Sequence, residues 1–181
     1  MVLTPTTLSP TLARQARAIY LEAFPKEERL PWWLLRLNAT RKGIDVTGWL
    51  EADILRGLTV SVTVDGMHFL LFFAIAAESR NQGYGSAILE HLKQNHDTVV
   101  LNVEPLVADA PNLAQRQRRF GFYQRCGFHD TYHHVWEVGG MFRVLSTEQR
   151  LDIPAYQQLF LKLTMGIWKV RVEQAEGPLY G

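Results

Sequence analysis

The run Arg80-Asn81-Gln82-Gly83-Tyr84-Gly85-Ser86 brings together the groups needed to hold a phosphate. Gly83 and Gly85 lack Cβ atoms, so an anion can approach the backbone N–H groups closely. Arg80 adds a charge-assisted donor, and Ser86 can cap a helix or donate to a phosphate oxygen. The run follows an apolar stretch and precedes a segment of helical spacing. The first N–H groups of such a helix have no internal partner, and the helix dipole places partial positive charge on them. Two other phosphate loops are excluded. A dinucleotide fingerprint needs a third glycine three residues after Gly85, where Ile88 stands, and no Gly-Lys-Ser/Thr of a P-loop follows. Taken without its context, the same pattern also describes a tight strand-to-helix turn.

Other reactive side chains carry weaker signals. Cys126, the one cysteine, stands directly before a glycine that caps a helix, with no base and orienter near it, so it reads as a small apolar residue rather than a nucleophile. His68 lies on an apolar strand and reads as a satisfied core histidine. His133 and His134 are adjacent on a strand, so they point to opposite faces and do not form a ligand pair. Arg116, Arg118 and Arg119 form a basic run that is either a solvated face or a phosphate contact.

The elements that must position these residues follow from periodicity. Pro10 to Phe24 has helical spacing and stops at Pro25, and Pro31 to Leu37 predicts a second short helix. Ile44 to Ala52 predicts a strand. Leu58 to Val64 alternates apolar and polar residues, Asp65-Gly66 suits a two-residue hairpin turn, and Met67 to Ala77 pairs back as a central strand. A helix follows the glycine loop. Thr98 to Val103 then predicts a buried strand parallel to the preceding one, because a helix joins the two. Asn112 to Cys126 predicts a helix ending at Gly127. Thr131 to Val138 and Met141 to Leu145 predict a hairpin around Gly139-Gly140. Asp152 to Val170 predicts one long amphipathic C-terminal helix. The fold class is α/β (α+β), with a mixed sheet of about six to seven strands and helices on both faces. Residues 1–150 make the main domain and residues 151–181 the C-terminal helix, packed on that domain or at an interface.

Composition narrows the class of function. Apolar residues at 47% and charged residues at 20% describe a globular chain with a core rather than a disordered one. A formal net charge of +1 points away from nucleic acid or an anionic membrane as partner. The longest apolar run, Phe69 to Ala77, is too short to span a membrane. The N-terminus does not read as a signal peptide, and a single cysteine fits a reducing compartment, so a cytoplasmic location is expected.

The stretch Phe73 to Leu89 resembles the fourth strand, phosphate loop and third helix of the GNAT N-acetyltransferases. Phe122-Tyr123-Gln124-Arg125-Cys126-Gly127-Phe128 resembles that family's later aromatic-Tyr-x-x-x-Gly-Phe motif, about 40 residues further on with a strand between. Ala23-Phe24-Pro25 with Glu28-Arg29, and Val103-Glu104-Pro105 with Arg116 and Arg119, resemble an uncharacterised bacterial branch. The resemblance implies acetyl-CoA as cosubstrate, with its pyrophosphate at Arg80, Asn81, Gln82, Gly83, Tyr84, Gly85 and Ser86 and its pantetheine arm along Phe73, Ala74 and Ile75. Arg116 stands where many members carry Asn for a coenzyme contact. No metal is implied. The same resemblance implies that Tyr123 protonates the departing thiolate; the alternative is a core tyrosine. Glu104, at the exit of a buried strand before Pro105, is placed to take a proton from the incoming ammonium, to bind it, or to stand as a solvated charge. Arg29 and the Trp32-Trp33 pair line the acceptor or simply cover the core. The expected acceptor is an unidentified small-molecule or peptide amine, and a homodimer is compatible with the C-terminal helix. A non-catalytic acyl-CoA sensor, or a partner-binding protein built on the C-terminal helix, would share the fold.

Overall fold

The structure is a computed structural model and describes residues 2–137, 140–175 and 177. Among the described residues eight strands form one mixed sheet, in the hydrogen-bonded order Thr4–Thr7, Ile44–Glu51, Ile54–Val64, Met67–Ile75, Thr98–Val103, Gly140–Ser146, His129–Glu137, Arg171–Gln174. Chain contacts group into two compact units, Met1–Thr63 with Leu70–Asn95, and Val64–Phe69 with His96–Gly181.

The first unit opens with strand β1 (Thr4–Thr7), which the sequence reading missed, and helix α1 (Pro10–Ala23). Ser9 caps α1 by accepting from Leu12 N–H, with Pro10 at the first helical position, where a missing N–H costs nothing. Helix α2 (Trp32–Asn38) and strand β2 (Ile44–Glu51) follow. Strand β3 (Ile54–Val64) begins four residues earlier than its alternation suggested, and β2 pairs with it antiparallel. Val46 on β2 joins Leu58, Val60 and Phe72 in a core against Tyr20 of α1 and Leu35 of α2. Trp49, on the opposite pleat, lies edge-on to His91 of α3 (Tyr84–Asn95) at 5.1 Å between centroids. Helices therefore cover both faces of this unit's strands. Gly57 sets the depth of the packing, since a Cβ there would lie 3.0 Å from Ala74 O and 3.1 Å from Ile88 Cδ1.

Strand β4 (Met67–Ile75) passes from the second unit into the first. The turn before it has the backbone expected of a two-residue hairpin, with φ of 47° at Asp65 and 81° at Gly66. Met67, His68 and Phe69 pair parallel with Thr98, Val99 and Val100 of β5 (Thr98–Val103), as the intervening helix required. Helix α4 (Leu113–Arg125) ends at Gly127, whose φ of 87° is the left-handed cap conformation. The hairpin of β6 (His129–Glu137) and β7 (Gly140–Ser146) is antiparallel. Val138 and Gly139, assigned to this hairpin from the sequence, lie outside the described residues.

The C-terminal segment departs from expectation. Helix α5 (Ile153–Leu163) carries an Asp152 cap and packs Tyr156 and Phe160 on Phe69 at 6.0 and 5.2 Å. It stops well short of Val170. Met165 and Gly166 turn left-handed, with φ of 57° and 81°, and the chain returns as strand β8 (Arg171–Gln174) antiparallel to β6. Apolar residues that continued the helical pattern on paper instead serve a strand edge, because Gly166 breaks the helix. With β1 and β8 added, the sheet among the described residues has eight strands rather than about six to seven.

Candidate active site

The glycine loop is built as a strand-to-helix turn. β4 ends at Ile75, a short 3-10 turn covers Ala77–Ser79, and α3 begins at Tyr84. Between them Asn81 (φ 61°) and Gly83 (φ 87°) are left-handed, a conformation that concentrates successive N–H groups on one side of the chain. Asn81, Gln82, Gly83 and Ser86 are exposed, and Gly85 is half-buried as the second residue of the helix. Arg80 donates to Ile75 O through Nε at 3.2 Å and pairs with Glu22 at 2.8 Å, which holds its guanidinium at the loop. Ala74 is buried, while Phe73 and Ile75 are half-buried at the end of β4. The predicted coenzyme residues of this unit are thus brought together at one strand end and one helix start.

A cluster that the sequence reading did not single out fastens the loop to the β2–β3 hairpin. Tyr84 donates its hydroxyl to Glu51 in a short hydrogen bond. Arg56 pairs with the same Glu51 oxygen at 3.3 Å, lies 5.1 Å from the Tyr84 ring centroid, and reaches Ser79 Oγ at 3.4 Å. The bond to Glu51 raises the Tyr84 hydroxyl above its usual range, so it stays a donor. Arg56 O accepts from Ala76 N–H at 2.9 Å. Glu51, Arg56 and Tyr84 are spaced too irregularly for any sequence pattern to join them; two polar residues flanking a hairpin turn are the one weak signal.

Tyr123, Glu104 and Arg116 belong to the second unit. Tyr123 is 9% exposed, 5.8 Å from Phe128 and 5.3 Å from Phe122 between ring centroids. Burial pushes its hydroxyl up to about 12, against a lowering pull from Arg119, so it is protonated at neutral pH. Among the described residues its hydroxyl has no hydrogen-bond partner. Glu104 offers one oxygen to Arg116 at 2.7 Å and the other to Arg119 at 3.4 Å, with Asn112 at 3.5 Å. Arg116 also donates to Asn112 Oδ1 at 2.7 Å and to Pro105 O at 2.8 Å. Strand exit, loop and helix α4 are cross-linked through this one guanidinium.

The remaining candidates fall outside these groups. His68 is buried and stacked on His96, with ring centroids 3.9 Å apart. His133 binds Thr131 O, and His134 meets Arg143, so the two neighbours have separate partners, as a strand's alternation demands. Trp32 packs on Tyr20, whereas Trp33 is exposed.

A mixed sheet with a strand-loop-helix turn after β4 is the fold shared with the following structures. Residues 46–130 match the family model of the acetyltransferase (GNAT) domain. A structure from Bacteroides thetaiotaomicron, named as a GNAT-family acetyltransferase, is 25% identical, with a TM-score of 0.69 over 94% of this chain and 100% of that one. An aminoglycoside 6'-N-acetyltransferase complexed with coenzyme A shares the fold at 13% identity, with a TM-score of 0.65 over 84% of this chain and 100% of that one. YjbC of Bacillus subtilis (strain 168), named as an acetyltransferase, is 28% identical over 97 residues, which span 47% of each chain, about half the length of that relative. Residues 46–130 thus match a GNAT acetyltransferase domain, and the fold is shared with structures named for that family.

Proposed function

We propose that the protein transfers the acetyl group of acetyl-CoA to a primary amine of a small molecule or peptide by direct attack. The observation that carries this reading is the glycine loop: left-handed Asn81 and Gly83 followed by the N-terminus of a twelve-residue helix, with Arg80 alongside. Backbone N–H groups so arranged, with the helix dipole behind them, suit a pyrophosphate. The residues Arg80 to Ser86 would hold the pyrophosphate and Phe73 to Ile75 the pantetheine arm. Acetyl-CoA supplies an activated thioester carbonyl and a thiolate leaving group.

In this reading Tyr123 gives its proton to the sulfur. A phenol with no competing partner, held neutral by burial, suits that task. Glu104 holds Arg116 and Arg119, and through them the start of α4. No metal enters the reaction, and the cytoplasm, which supplies acetyl-CoA and suits a lone thiol, is its proposed location.

The test is Gly85→Val in a folded protein. A branched side chain at the second helical position blocks the close approach of phosphate to backbone. Acetyl-CoA affinity by calorimetry should fall by at least tenfold; unchanged affinity removes the loop from the site. A sensor that binds without transfer would show affinity but no thiol release against a panel of amines, amino acids, aminoglycosides and peptides.

A further inference from the structure

The C-terminal strand lies beyond the residues that match the acetyltransferase domain, and a buried cation holds it. Arg143 of β7 is 2% exposed. It grips Asp130 of β6 with two bonds, Nε to Oδ1 at 2.7 Å and Nη2 to Oδ2 at 2.8 Å. Nη2 also donates to Gly177 O at 2.8 Å, which pins the backbone that follows β8. Nη1 meets Nε2 of His134 at 3.0 Å. A guanidinium has only donors and stays charged at any ordinary pH, so His134 must supply the lone pair. The contact therefore fixes a neutral imidazole, with Nε2 bare and the proton on Nδ1.

Strand register adds a second constraint. His134 stands opposite Arg143 on one side and opposite Glu173 of β8 on the other. Four groups face its ring: Arg143 from β7, Asp130 from its own strand, Glu173 from β8, and the Trp136 ring edge-on at 6.2 Å. Glu173 is itself paired with Arg171. The strand beyond is lightly fastened. β8 is four residues long and ends the sheet, and Ala175 N–H donates to Tyr132 O at 2.8 Å. Tyr132 is left-handed, with φ of 57°, and lies in the register shift between Asp130 and His134.

A proton on His134 does not fit this arrangement. It would turn Nε2 into a donor facing a donor and set two cations side by side. Burial, and then Arg143, lower His134 below the usual histidine range, while Asp130 and Glu173 oppose them. Arg143 is enclosed and doubly bonded to Asp130, so it keeps its place. The imidazole and the strand beside it must yield. A histidine that binds protons less well in the closed form favours the open form as pH falls below its ordinary 6.5 or so.

We propose that Arg143 and His134 form a proton-sensitive clasp on β8, Ala175 and Gly177, closed while His134 is neutral and opened when His134 takes a proton. Opening bares the edge of β6 from His133 to Trp136, where unpaired N–H and C=O groups can accept another strand. The device goes beyond acetyl transfer and stands whether or not that reading holds.

The test is amide hydrogen exchange by NMR on the full chain, with each rate divided by the intrinsic rate at its pH. The reporter is the Ala175 N–H. Its protection in the wild-type protein should fall roughly three- to tenfold between about pH 7 and pH 5. Imidazole nitrogen shifts should show the Nδ1–H tautomer of His134 at the higher pH and a midpoint below that of a free histidine. His134→Gln offers Arg143 an amide oxygen that does not titrate, so Ala175 protection should be equal at both pH values. Glu173→Gln removes an anion that favours the proton and should lower the His134 midpoint further. His68→Gln removes another buried histidine and should leave the Ala175 response intact. Equal wild-type protection at the two pH values, or an Nε2–H tautomer, overturns the clasp even if every variant fails to fold. A response that survives His134→Gln overturns it as well.

Discussion

A tyrosine that protonates a leaving thiolate must carry its proton into the reaction and have nothing else to give it to. Tyr123 meets both conditions: burial raises its hydroxyl to about 12, and the described residues offer it no acceptor. Tyr123→Phe removes the oxygen and keeps the ring that packs on Phe122 and Phe128. Turnover should fall by about 10²- to 10⁴-fold, the usual worth of a general acid, with acetyl-CoA affinity and thermal stability close to wild type. Steady-state thiol release reads the first, and calorimetry and thermal melting the others. Wild-type turnover would return Tyr123 to the core as a packing residue.

At the scale of elements, the loop and helix α3 are held from below by the β2–β3 hairpin. Glu51 ties Tyr84, the first residue of α3, to Arg56, which also reaches Ser79 before the loop. Both ends of the glycine loop therefore hang on one carboxylate. Glu51→Gln keeps a hydrogen-bond acceptor but loses the charge, worth about 0.5–1 kcal/mol for a pair that is partly solvated. Acetyl-CoA should bind roughly two- to fivefold more weakly, with kcat unchanged, because the loop is less well ordered before the ligand arrives. Arg56→Lys should fall between wild type and Arg56→Ala, since a lysine keeps the charge and loses the fork. Equal affinity in all of these proteins would show that the loop is fixed by its own backbone.

At the scale of the whole molecule, His68 couples folding to pH. It is 3% exposed, and burial, with His96 beside it, lowers it to about 3 from an ordinary 6.5. A histidine depressed in the folded state binds protons more readily when unfolded, so the contribution is complete above pH 6.5 and lost as pH falls toward 3. By pH 5 the loss amounts to about 2 kcal/mol. His68→Gln removes the titration, and the gap in urea stability between pH 7 and pH 5 should shrink by about that amount relative to wild type. An unchanged gap would place the acid sensitivity on other groups.

The sequence alone determined what is local. The glycine loop, the Asp65-Gly66 turn, the parallel relation of β4 and β5 and the Gly127 cap are each fixed by a few neighbouring residues whose φ angles, missing Cβ atoms or apolar periods have one good solution. The resemblance to a GNAT acetyltransferase domain was legible for the same reason, since its motifs are runs of consecutive residues. The tertiary structure decided what joins distant residues. Glu51 meets Tyr84, and Tyr156 reaches Glu137 through Asn102, across separations with no period to betray them. The arginines that occupy Glu104 lie on the next helix and were visible only as a basic run. The end of α5 and the strand β8 were likewise misread as one helix, because an apolar pattern does not say which partner it packs against until β6 offers an edge. Backbone chemistry acts between neighbours and can be read in order; burial and charge pairing depend on which residues folding brings together.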